Sequence, residues 1–287
     1  MTRIGIIGGS GLYDIEGVTN IKEKKVETPF GDPSDNYIIG ELEGVEIIFL
    51  PRHGRGHIVM PTDINYRANI YGMKSFGVEK IISFSAAGSL REELDPGTFV
   101  IVDQFFDRTN ATRRNTFFGE GIVAHIAFAE PVCGDVGKLV FEEAKEMGIK
   151  AVMGGTYVNM EGPAFSTKAE SNLYRKWGMD VIGMTNLVEA KLAREAGICY
   201  CTVAMITDYD CWHPDHDSVT VDMIVECLKK NSSNAKKLIK KIIPKANKLN
   251  RDCICSKALA AAIITSRAKI PERVKEKLKV IIDKYIN

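Results

Sequence analysis

Two aspartates close an apolar run, Ala204-Met205-Ile206-Thr207-Asp208-Tyr209-Asp210. If the strand implied by that run persists, Asp208 and Asp210 stand two positions apart and project to the same side. Burial and mutual repulsion then raise one pKa, so that one acid keeps a proton to donate while the other is a carboxylate that accepts a hydrogen bond. An adenine edge takes that combination: a donor towards N7 and an acceptor for the exocyclic amine. The same spacing also fits an exposed acidic turn or, with His213, Asp215, His216 and Asp217 close by, a metal cluster.

Three further segments suit an anion. Gly8-Gly9-Ser10-Gly11 follows the apolar residues 3–8 and can expose several backbone N–H groups. It is not a dinucleotide fingerprint, because counting from Gly9 and Gly11 the third glycine position is Asp14. Pro51-Arg52-His53-Gly54-Arg55-Gly56-His57 places arginines and histidines in a short loop. An arginine fork matches phosphate oxygens, and a neighbouring histidine can donate one more bond. His53 and His57 have the spacing of a helical zinc pair, but Gly54 and Gly56 argue against a helix, so no metal is expected there. Ser83-Phe84-Ser85-Ala86-Ala87-Gly88-Ser89 ends a strand in small residues that let a ligand approach the backbone. Downstream, Phe165 offers a face for a base and Met184 a soft surface for a sugar, although each, taken alone, reads more readily as plain core.

These segments need elements to hold them. Strands are expected at 3–8, 36–42, 45–51, 79–84, 98–102, 150–160 and 198–206, and helices at 63–76, 135–147 and 187–196. From Val221 an apolar stripe at helical spacing runs to about Pro244, and shorter helices are expected at 256–267 and 271–285. Alternating strands and helices imply an α/β sheet covered on both faces. No repeat or linker interrupts the chain, so the tail reads as a helical cap on that domain rather than a second one.

The 287 residues suffice for one large core. With 26% charged residues and a net charge of +1, neither a nucleic acid nor an acidic membrane surface is an expected partner. The N-terminal apolar run meets glycines at once, unlike a signal peptide or a membrane span, so a cytoplasmic address is expected. Seven cysteines do not make the dense framework of a small secreted domain. Cys253-x-Cys255 fits ordinary thiols or a disulfide better than metal, because no second such pair accompanies it.

Taken together, Ile6-Ile7-Gly8-Gly9-Ser10-Gly11-Leu12, Pro51-Arg52-His53-Gly54, Asn65-Tyr66-Arg67-Ala68-Asn69, Asp103-Gln104-Phe105, Glu161-Gly162-Pro163 and Thr207-Asp208-Tyr209-Asp210-Cys211-Trp212 resemble the 5′-methylthioadenosine phosphorylases of the trimeric purine nucleoside phosphorylase family. The resemblance covers about residues 3–245. It implies a three-layer α/β/α fold with a mixed central sheet and a helical C-terminal cap, divided as a phosphorylase domain at 1–245 and an extension at 246–287 packed on it.

It also implies an activity: phosphorolysis of the N-glycosidic bond of 5′-methylthioadenosine, with adenosine or 5′-deoxyadenosine as further substrates and a 6-oxopurine nucleoside or methylthioinosine as the alternative, with phosphate as co-substrate and neither cofactor nor metal. By resemblance, Ser10, Arg52, His53, Ser85, Ala86 and Thr185 hold phosphate. Gly88 lies beside the purine, Phe165 and Ser166 near base and sugar, and Met184 under the ribose. Asp208 faces N7 and acts as general acid, and Asp210 faces the 6-amino group. Val221 and Ile224 line the 5′ pocket, and His125 reaches a neighbouring subunit's site in a homo-oligomer, a trimer or a dimer of trimers. The chain departs from the family pattern at Ala164, where arginine is usual, and at Val188, where proline is usual. Cys253-x-Cys255 is similar to a feature of heat-adapted archaeal relatives, in which such cysteines form disulfides.

Overall fold

The computed structural model describes residues 3–9, 12, 15–214 and 221–286, the side chains of 221–224 excepted. Its centre is three strands that are buried nearly throughout, as strands covered on both faces are. They are β1 (Arg3–Gly8), β5 (Val78–Ser89) and β11 (Cys199–Asp208). β1 lies parallel to β5 on one edge, β11 parallel to it on the other. Outside β1 come β4 (Val45–Pro51), parallel, then β3 (Tyr37–Leu42) and β2 (Thr19–Lys24), both antiparallel. Outside β11 come β6 (Phe99–Val102), antiparallel, and β8 (Ala151–Met153). The sheet is mixed, as expected.

β5 outruns its partner. β1 pairs with it as far as Ile7 opposite Ser83, and β10 (Val181–Gly183) joins the same edge antiparallel only at Gly88 and Ser89. β9 (Thr156–Met160) and β7 (Gln104–Arg108) extend the sheet beyond β10. Residues 84–87 of β5 therefore have no strand neighbour on that edge among the described residues, and a gap opens in the middle of the sheet.

Helices cover both faces. α2 (Gly134–Glu146) and α5 (Val221–Lys248) lie over one, sharing a core in which Ile4, Ile6, Phe84 and Val203 meet Val140, Leu238 and Ile242. α1 (Tyr66–Ser75), α4 (Asn186–Glu195) and α6 (Glu272–Ile286) lie over the other, where Ile7, Ile48, Ile81 and Tyr200 meet Ile70, Leu192, Leu278 and Ile282. The three-layer arrangement is the expected one, and α6 buries its apolar stripe in the same core as α1 and α4. α3 (Lys168–Lys176), opened by a capping box between Thr167 and Glu170, sets Tyr174 against Leu90, Val158 and Ile182. Among the described residues no helix is long and apolar enough to cross a membrane.

Several elements differ from expectation. The strand expected over 150–160 is broken in two by Gly154 and Gly155 at φ +87° and +135°, a region open to glycine. The helix expected at 256–267 is a 3-10 turn at Ile254–Lys257 followed by irregular chain. There the His125 N–H donates to the Ala262 carbonyl and the Ile264 N–H to the Val123 carbonyl, so pairing with a distant segment overrides the helix propensity of the alanines. α1 begins later than expected because Asn65 accepts from the Ala68 N–H (3.2 Å) and caps it, rather than Thr62 or Asp63. α5 runs past Pro244 to Lys248. β2, β7, β10 and α3 were not expected; β2 is an exposed, charged edge strand with no apolar alternation to reveal it.

Candidate active site

A cavity of about 250 Å³ occupies the gap beside β5, at the carboxyl ends of β1, β4, β5, β9, β10 and β11. Ligands of open α/β sheets bind at such a position. It brings together Arg52, His53, Ser85, Ala86, Gly88, Phe165, Met184, Thr185, Asp208 and Asp210, residues separated by up to 158 positions along the chain. His57 completes the walls together with Met160, Met205, Leu228 and Ser232, which the sequence did not single out.

Arg52 is 1% exposed and turns its fork away from the expected use. Nε and Nη2 grip the two Glu189 oxygens at 2.5 and 3.1 Å, Nη2 also donates to the Ser83 hydroxyl, and Nη1 donates to the Phe84 carbonyl at 3.0 Å. Four of its five N–H groups are thus used, which leaves one on Nη1 for a ligand. Arg52 holds the Phe84 carbonyl on the open edge of β5. Strand alternation puts the Ala86 N–H on that edge too, where Ala86 lines the cavity.

His53 also differs from expectation. Burial, with the Arg52 charge second, pushes its pKa down to about 4, so the ring is neutral near pH 7. Its Nδ1 lies 2.8 Å from the Val59 carbonyl, which can only accept, so the proton sits on Nδ1. Nε2 is then an acceptor, not the expected donor. His57 stacks on the ring with centroids 4.3 Å apart.

The N-terminus of α4 meets the cavity at Thr185. Thr185 does not cap its own helix, and its hydroxyl makes only a 3.4 Å bond to Asn186 Oδ1. Ser85 donates to the same Oδ1 at 2.7 Å, so its oxygen lone pairs remain for a donor. Asn186 is fixed in turn by donating to Thr202 (2.8 Å) and Tyr200 (3.0 Å). Helix N-terminal N–H groups and hydroxyls together suit an anion.

At the other end stand the two acids. β11 ends at Asp208, and Asp210 lies beyond it in a turn with φ +53°, so the expected strand alternation does not reach it. The turn, not the pleat, brings both to the cavity. The Asp210 N–H donates to Asp208 Oδ1 (2.8 Å) and the Thr207 hydroxyl to Oδ2 (2.6 Å). Burial outweighs these bonds, and with the Asp210 charge adding to it the Asp208 pKa rises to about 6. Burial raises Asp210 as well. Asp208 can therefore carry a proton near neutrality while buried Asp210 presents acceptor oxygens.

Phe165 lines the cavity mouth at 55% exposure, a face open for stacking. Met184 lines the floor, its carbonyl held by buried Arg113, which also pairs with Glu161 (2.9 Å). Ser166 is buried against Met160 and is not a lining residue. His125 is exposed on a loop away from this cavity. Ser10 and residues 215–217 lie outside the described residues, as do the side chains of Val221 and Ile224. The sequence gives little hint of Glu189, Asn186 or Arg113, because each acts from a helix or loop whose pattern says only that it is partly buried.

Among the described residues, the one group arranged to hold a metal ion is remote from this cavity and consists of Cys133, Cys199, Cys253 and Cys255. No second Cys-x-Cys pair accompanies Cys253 and Cys255, but Cys133 and Cys199, far along the chain, stand beside them.

The sequence model described as the Phosphorylase superfamily matches residues 3–244. An S-methyl-5′-thioadenosine phosphorylase of Koribacter versatilis is 61% identical over 99% of this chain and 96% of its own, and one of Geobacter sulfurreducens 58% identical over 99% of both. The crystal structure of a methylthioadenosine phosphorylase from an antarctic soil metagenomic library superposes with a TM-score of 0.93 at 44% identity, over 98% of each chain. With the family model matched over residues 3–244 and such relatives covering nearly the whole chain, the chain belongs to the phosphorylase superfamily.

Proposed function

We propose that the chain cleaves 5′-methylthioadenosine with inorganic phosphate, giving adenine and 5-methylthioribose 1-phosphate, a pentosyl transfer. The observation that carries this reading is Asp208, held with a pKa of about 6 opposite the anion-suited end of one cavity. The names of the relatives agree with it. Adenosine and 5′-deoxyadenosine are secondary substrates, because one apolar 5′ pocket discriminates by only about 10- to 200-fold.

Phosphate sits at the α4 N-terminus, bound by Thr185, Ser85, the Ala86 N–H and the remaining Nη1 hydrogen of Arg52, and Ser10 is a further phosphate ligand in this proposal. His53 Nε2 accepts the hydroxyl hydrogen of hydrogen phosphate. A phosphate oxygen attacks C1′ as the C1′–N9 bond breaks through an oxocarbenium-like state, and the bonding pair leaves with the purine. Asp208 gives its proton to N7, a contribution of about 100- to 10,000-fold. Asp210 accepts from the 6-amino group; a 6-oxopurine would meet its carboxylate with repulsion.

Met184 lies under the ribose, Phe165 over the base, Gly88 beside it and Ser166 behind. α5 supplies the 5′ pocket through Val221 and Ile224, on the helix whose Leu228 and Ser232 line the cavity. His125 completes the site of a neighbouring subunit, so the working form is a homo-oligomer, a trimer or a dimer of trimers. Residues 246–287 act as an extension of the same domain. The reaction needs no cofactor or metal. Incubating the chain with methylthioadenosine, adenosine or methylthioinosine, each with and without phosphate, tests the reading: adenine release that depends on phosphate and favours methylthioadenosine is expected, and preference for the oxopurine would overturn it.

A further inference from the structure

On the face of the sheet covered by α2 and α5, four cysteine sulfurs from three stretches far apart in sequence converge. Cys133 caps the N-terminus of α2, Cys199 opens β11, and Cys253 and Cys255 flank the start of the 3-10 turn at Ile254–Lys257. All four Sγ atoms lie within 4.8 Å of one another, Cys253 being 3.3 Å from Cys199 and 3.8 Å from Cys133. Four thiolates around a zinc ion at about 2.3 Å stand about 3.8 Å apart, so small side-chain adjustments close the tetrahedron. Cys133, Cys199 and Cys255 are buried, as befits a closed structural site rather than a catalytic one with an open position.

A second observation bears on what fills the cluster. Lys80 pairs with Cys199 in the β5–β11 register, so the two side chains share a face of the sheet. It is 1% exposed, and among the described residues its ammonium has no hydrogen-bond partner. A buried cation without a counter-charge is costly. Buried Arg251 Nε, beside Cys199, also has no hydrogen-bond partner, although the same guanidinium pairs with Glu79 through Nη1 at 2.9 Å. Four neutral thiols, or two disulfides, would leave the Lys80 ammonium unanswered. Four thiolates on one divalent cation carry a net charge of −2 and answer it.

We propose that Cys133, Cys199, Cys253 and Cys255 bind one zinc ion, with Lys80 and Arg251 as the neighbouring cations that balance its tetrathiolate charge. Binding displaces the four thiol protons to solvent, with no change of oxidation state. Tetrahedral sulfur ligation selects zinc over the harder divalent cations. The ion joins α2, β11 and the segment after α5. That segment leads into 262–265, whose backbone pairs with the loop carrying His125.

The test uses the intact chain purified under a phosphine reductant without chelator. Elemental analysis should find about one zinc per chain. Reconstitution with Co2+ should give the intense near-ultraviolet thiolate-to-cobalt absorption and the visible bands of a tetrahedral site. Cys255→Ser and Cys133→Ser should abolish both signals, and Lys80→Met should let a competing chelator remove the ion at a lower concentration. Where a serine variant fails to fold, the Co2+ spectrum of the intact chain decides alone. Absence of bound zinc together with four alkylatable thiols, or a mass deficit marking a disulfide, overturns the proposal. So does iron in place of zinc.

Discussion

Gly88 gives the Asp208 carboxyl its room: a Cβ at position 88 would stand 2.9 Å from Asp208 Oδ1 and 3.1 Å from Ile182 Cγ2. One of the two would have to move. Gly88→Ala should therefore displace the acid and lower kcat/KM by about 100-fold, the scale of a misplacement near 1 Å, with little change in the thermal midpoint. Steady-state kinetics beside a melting curve checks this; wild-type turnover would mean that the position of Asp208 is unimportant.

Asp208 should give the reaction its pH dependence. It must be protonated to act as an acid, and its pKa of about 6 lies above the ordinary carboxyl value. At saturating phosphate, kcat/KM for the nucleoside should thus fall as pH rises through about 6, and Asp208→Asn should remove both that limb and most of the activity. The same raised pKa makes ionisation a cost to the fold. Its stabilising share is whole below the unfolded value near 3.8 and lost as pH rises through about 6. At pH 8, Asp208→Asn should melt higher, by about 1–3 kcal/mol of stability. An unchanged profile and midpoint would show that burial does not tune this group.

Asp210→Asn tests the reading of the base. Asparagine tolerates the left-handed backbone of this position, at φ +53°, so the turn should survive. An amide can donate to O6, and the ratio of kcat/KM for methylthioinosine over methylthioadenosine should rise by about 10-fold or more. No change in that ratio would remove Asp210 from the purine edge.

Glu189 should matter to fold and phosphate alike. It accepts from Arg52, from the Ser83 hydroxyl at 2.8 Å and from the Tyr200 hydroxyl at 2.7 Å, all buried. Glu189→Ala strands the Arg52 charge and should cost about 3–5 kcal/mol, whereas Glu189→Gln keeps acceptors and should cost less. If the glutamine variant is isolated, its KM for phosphate should rise while that for nucleoside changes little. Equal stability of all three forms would show the pair to be dispensable.

Much of this was open to reading along the chain, because local chemistry leaves local marks. The apolar runs of β1, β4, β5 and β11 name the central strands, the small-residue ends of β1 and β5 name places where backbone is bare, and Asp208 and Asp210 stand out as acids after such a run. What the linear order cannot carry is where one segment ends against another. That β10 meets β5 only at Gly88, opening the gap, depends on strand register. That Arg52 spends its fork on Glu189, and that His53 faces the cavity as an acceptor, depends on partners 137 and 6 residues away. That four cysteines from three distant stretches share one pocket depends on all of these together. Residue types set which chemistry was available; burial and pairing across the fold, which alone fix protonation and direction, decided how each group is used.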